Sequence, residues 1–111
     1  MTRAQVAAGG SANKIRGEAE ISVGARSFVL RPSFTALVAA EEELGSLFAL
    51  VERAGEGRLA LSEMATLFWH CLPAGDRPDR EAVGEAVMAI GLAAAAKPLR
   101  TLLGQVLQGR A

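Results

Sequence analysis

The chain has 111 residues, half of them apolar, and carries twelve basic and twelve acidic side chains for a formal net charge of zero. That length holds one domain, and the apolar fraction is enough to pack a core. The even charge balance argues against nucleic acid as the main partner, because phosphate contacts need a net basic face. Cys71 is the single cysteine, which excludes an internal disulfide and a multi-cysteine metal site and suits a reducing compartment. The stretch AQVAAGG is too short and too weakly apolar for a signal-peptide core. No apolar run approaches the about 18 residues that a membrane span requires. The expected location is therefore the cytoplasm.

Residues 1–12 are rich in Gly, Ala and Ser without periodicity and read as a flexible leader. A single α+β domain is expected over residues 13–108, an N-terminal β-hairpin followed by four to five packed α-helices. Ala19, Ile21 and Val23 alternate with polar residues, the period of a half-buried strand. A second run, Arg26 to Arg31, sets Phe28 and Leu30 against Ser27 and Val29. Gly24-Ala25 between them fits a two-residue II′ turn, whose first position needs positive φ. This register pairs Ile21 with Phe28, Ala19 with Leu30, and Glu18 with Arg31. Two strands alone are marginal, so their apolar face must rest on helices.

Pro32 stops the second strand and Ser33 is placed to cap a helix. Phe34, Leu37, Val38 and Leu44 fall on one face of that helix, and Glu41 to Glu43 crowd its C-terminal end. The acidic run has two readings, a solvated face (the favoured one) or a docking patch for a basic partner. Gly45 ends the helix, and Leu47, Leu50, Val51 and Ala54 stripe the next at helical spacing, with Phe48 beside them. Leu61 to Leu72 is the most apolar helix and the expected centre of the core, with Ser62 as its cap. Its inner face is Met64, Leu67, Phe68, Cys71 and Leu72, widened by Ala65 and Trp69, while Glu63, Thr66 and His70 form a narrow polar stripe. PAGDRP is a loop by composition. Asp79 then caps a helix whose inner stripe is Val83, Val87 and Ile90, ending at Gly91. The last helix is expected to start between Ala94 and Pro98, because Pro is tolerated in a first turn. It buries Leu99, Leu102, Leu103 and Val106.

Little here points to catalysis. His70 and Cys71 are adjacent, and neighbours on a helix point about 100° apart, so they do not form a nucleophile–base pair. Cys71 reads as a small core hydrophobe and His70 as an ordinary exposed histidine. Asp76, Asp79, Glu81 and Glu85 do not match calcium-loop spacing. The glycines form neither a phosphate loop nor a dinucleotide fingerprint. The chain reads as a binding protein without cofactor or metal, not an enzyme.

Asn13, Arg16-Gly17-Glu18, Leu30-Arg31-Pro32-Ser33-Phe34, the acidic stretch Glu41 to Glu43 and Gly45-Ser46-Leu47 carry a family likeness. Leu61-Ser62-Glu63 leading to Trp69, and Val83-Gly84-Glu85-Ala86 leading to Gly91, extend it. Together they resemble small proteins of gene transfer agent and phage tail gene clusters, grouped with tail assembly chaperones and in places labelled for the tail tube. The resemblance implies a non-enzymatic part in building a long tail. Such chaperones coat the tape-measure protein and recruit tail tube subunits; the alternative is a structural component retained in the particle. Neither nucleic acid nor membrane is an expected partner, and self-association is left open. A groove between the helix pair and the hairpin is the expected contact, with Phe34, Leu47, Phe48 and Val51 as candidate partner-binding residues.

Overall fold

The computed structural model describes residues 18–109. The leader expected over 1–12 and the motif residues Asn13, Arg16 and Gly17 lie outside them. An antiparallel hairpin of β1 (Ala19–Val23) and β2 (Arg26–Leu30) comes first. The helices α1 (Phe34–Leu44), α2 (Leu47–Gly55), α3 (Leu61–His70), α4 (Arg80–Ile90) and α5 (Leu92–Gln108) follow. A short 3₁₀ turn, Ala74–Asp76, lies between α3 and α4. The architecture is α+β.

The hairpin register is the expected one, Ala19 opposite Leu30 and Ile21 opposite Phe28, with Gly24 at φ 64° in the turn. Beyond the paired strands, Arg31 Nε donates to the Glu18 carboxylate at 3.1 Å. Val29 departs from the alternation. It points away from Phe28 and Leu30 yet is buried, because the second face of β2 is covered by the end of α3, where Arg31 N–H donates to the Cys71 carbonyl at 2.8 Å.

The helices pack with α3 between α1 and α4, while β1 rests on α4 and α5. Phe68 and Leu67 on α3, Leu30 on β2, Val83 and Val87 on α4, and Leu102 on α5 are essentially sealed from solvent. Cys71 is buried at the C-terminal end of α3, and burial pushes its thiol up to about 12. It is a core residue, as its surroundings in the sequence imply.

Four helix readings need correction. On α1 the buried residues are Ala36 and Ala40, whereas Phe34 is 84% exposed and Val38 lies at the surface. Methyl groups let α1 approach α3 closely, which turns the larger residues outward or, for Leu37 and Leu44, to the core margin. Helix α3 starts at Leu61 with Ala60, not Ser62, in the capping position. Ala60 has no oxygen to offer, but the Glu63 carboxylate accepts the Ala60 N–H at 2.9 Å and supplies the reciprocal half of a capping box.

On α4, Ala86 rather than Ile90 completes the inner stripe. The chain turns through 117° between α4 and α5, so the last turn of α4 runs beyond the core. Gly91, at φ 89°, ends α4 and opens α5 directly, which places Pro98 inside α5 rather than at its start. Pro98 has no N–H for the Ala94 carbonyl; Ala94 is exposed, so water can serve that carbonyl. Val106 is half-buried beside the buried Leu99, Leu102 and Leu103. Among the described residues no single helix is long and apolar enough to cross a membrane.

Candidate partner-binding surfaces

The acidic end of α1 acts within the fold. Glu41 accepts the Leu47 N–H at 3.1 Å and supports the start of α2, where Ser46 accepts the Ala49 N–H at 3.4 Å. Glu43 bonds the Arg80 guanidinium at the start of α4 and His70 Nε2, 2.9 Å away, at the end of α3. His70 is therefore not the exposed histidine expected: its side chain is only 10% exposed, because three helix ends converge on it. Glu42 is exposed.

Arg80, then His70, hold the Glu43 carboxyl down to about 2, against an ordinary value of 4.5. Its folded pKa is depressed, so its contribution to stability is fully present above about 4.5 and is lost as the pH falls toward 2. The Glu63 carboxyl is lowered in the same direction by Arg53, 2.6 Å away, and by the Ala60 N–H. Thermal melts across this range should show Glu43→Gln with a shallower acid limb than wild type. Glu63 should supply the part that remains. Identical acid limbs would remove Glu43 from this account.

Trp69 is half-buried and fully engaged. Its indole N–H donates to the Pro78 carbonyl at 2.9 Å, and the guanidinium carbons of Arg77 and Arg80 lie 4.0 and 4.2 Å from the ring centre. Asp76 in the adjoining turn pairs with Arg26 of β2, and Asp79 caps α4 by accepting the Ala82 N–H at 2.8 Å. Among the described residues no group of three or more His, Cys, Asp or Glu side chains could hold a metal ion.

Two of the concavities formed by the described residues bear on partner binding. The first is an apolar trough of about 380 Å³ between α2 and α5, walled by Val51, Ala54 and Gly55 on one side. Leu99, Leu103 and Leu107 line the other, with Arg100 at the same wall. The second, about 290 Å³, lies between β2, α1 and the end of α3 with the loop that follows it. Its lining includes Val29, Arg31, Thr35, Ala39, Leu72 and Arg77.

The four candidate residues separate on this map. Val51 lines the trough. Phe48, 75% exposed, stands three residues before it and extends the α2 wall by one helical turn. Leu47 is half-buried at the start of α2. Phe34 sits on α1, between Ser33 and Thr35, which line the second cleft. Trough and cleft share no lining residue, and of the four candidates only Val51 is among the residues that line either.

The sequence assigns Leu99 and Leu103 to the buried face of the last helix but does not mark them as part of an open wall, although Ala96, Leu99, Leu103 and Leu107 recur at helical intervals. Leu99 and Leu103 are buried yet also reach the trough, and Leu107, 53% exposed, extends the stripe past what the core covers.

No curated protein and no solved structure matches the chain. A family model described as phage tail tube protein, GTA-gp10, matches residues 16–109, which takes in both strands and all five helices described above, and the chain belongs to that family.

Proposed function

We propose that this protein is a tail assembly chaperone: it holds an amphipathic helix of the tape-measure protein and recruits tail tube subunits, without catalysing a reaction. The observation that carries this reading is the apolar trough between α2 and α5, with exposed Phe48 in line with one wall and exposed Leu107 on the other. A groove between two helices, walled by Val51, Leu99 and Leu103 and edged by small residues at Ala54, Gly55 and Gly104, suits the apolar stripe of a third helix. Family membership supports a place in tail building, alongside other tail proteins.

The test is an affinity pull-down of the tagged protein from its own induced lysate, read by mass spectrometry. The tape-measure protein should be recovered with wild type and lost with Phe48→Asp. Phe48 is exposed, so this variant should melt with the wild type. Unchanged recovery with Phe48→Asp and with Leu107→Asp would reject the trough as the contact. The family description, a tail tube protein, favours a second reading in which the chain stays in the particle. Many copies per purified particle would support that reading; near absence would support the chaperone.

A further inference from the structure

We propose that the cleft between β2, α1 and the α3–α4 connection is a second binding site, which takes a carboxylate-bearing segment of a partner protein on Arg77. The residues that line this cleft include Arg31, Arg77, Ser33 and Thr35, and none of them is Asp or Glu. Val29, Ala36, Ala39 and Leu72 supply apolar wall between them. Arg31 already bonds Glu18, and His70 bonds Glu43. Arg77 differs from both: among the described residues no carboxylate pairs with it.

Arg77 is also held in place. It stacks 4.0 Å from the centre of the Trp69 ring, and one terminal nitrogen donates to the Trp69 carbonyl at 3.4 Å. Guanidinium carries five N–H donors in a planar fork, so most of its capacity stays open while its orientation is set. A pre-oriented fork loses little freedom on binding and matches a carboxylate in bidentate geometry. The uncompensated cation selects a negative group, and the apolar wall selects a peptide flanked by nonpolar side chains over a bare ion.

The site is independent of the trough, so its test separates from that of the chaperone reading. The probe is a short fluorescent peptide of alternating leucine and glutamate, compared by anisotropy with its leucine–glutamine counterpart on the full chain. Wild type should prefer the glutamate peptide by about tenfold, the scale of one charge-assisted hydrogen bond. The preference should shrink as salt rises. Arg77→Gln should abolish it. Thr35→Glu, an exposed change that brings a competing carboxylate to the cleft, should abolish it with the fold intact. Phe48→Asp should leave it unchanged, whatever that variant does to tape-measure recovery. Equal binding of the two peptides by wild type, or an undiminished preference in Thr35→Glu, would overturn the proposal. Displacement of the peptide by an equimolar short RNA would overturn it too, and would reassign the cleft to phosphate.

Discussion

Phe68→Ala should remove a large share of the protein's stability. Phe68 is sealed from solvent on the helix that packs between α1 and α4. Truncating a buried phenylalanine costs ~3–5 kcal/mol, the transfer energy of the ring plus the cavity it leaves. Domains of this size have only about 5–15 kcal/mol in total, and each kcal/mol moves Tm by about 4–8 °C. Circular dichroism melts should therefore show a fall of at least about 12 °C, or no cooperative transition. Phe68→Leu, which keeps most of the volume, should recover most of that loss. A melt within a few degrees of wild type would mean that α3 is not the centre of the core.

Trp69→Ala should be nearly as costly, though for a different reason. Trp69 is half-buried, and it ties the α3–α4 connection to α3 through the Pro78 carbonyl and the two stacked guanidiniums. Its removal should cost about 3 kcal/mol, the low end for a large aromatic, because part of the ring already faces water. The loss should be local in character: hydrogen exchange should rise first in residues 73–80, with α5 little affected. Trp69→Phe keeps a ring for Arg77 and Arg80 but leaves Pro78 without its donor, so it should cost about 1 kcal/mol. The two variants together separate stacking from the hydrogen bond. Uniform exchange across the chain in Trp69→Ala would show that the connection is not an independently held unit.

The trough and the cleft place different demands on the sequence. In the trough, apolar residues at helical spacing serve the core with one edge and the open groove with the other; Leu99 and Leu103 do both. Spacing finds such a stripe but does not tell where the core stops covering it. In the cleft, Arg77 comes from a loop, Thr35 from a helix start and Val29 from a strand whose alternation points it outward. No local pattern joins residues so far apart in the chain.

What the sequence alone determined is mostly short-range. Alternation and a two-residue loop with glycine first specified the hairpin and its register, because a one-residue slip would move every apolar side chain to the wrong face. Ser33 and Asp79 were legible as caps, since each places an acceptor oxygen over the N–H three residues on. The apolar density of Leu61 to Leu72 marked the central helix. Tertiary structure alone decided which way α1 turned, because close approach to α3 favoured the methyls of Ala36 and Ala40 over larger side chains. It decided that His70 and Glu43, distant in sequence, would meet Arg80. It also carried α5 straight through Pro98, where packing of Leu99, Leu102 and Leu103 outweighs one missing hydrogen bond at an exposed position. Local rules set where elements begin and pair; which face of a helix is buried depends on what the rest of the chain brings against it.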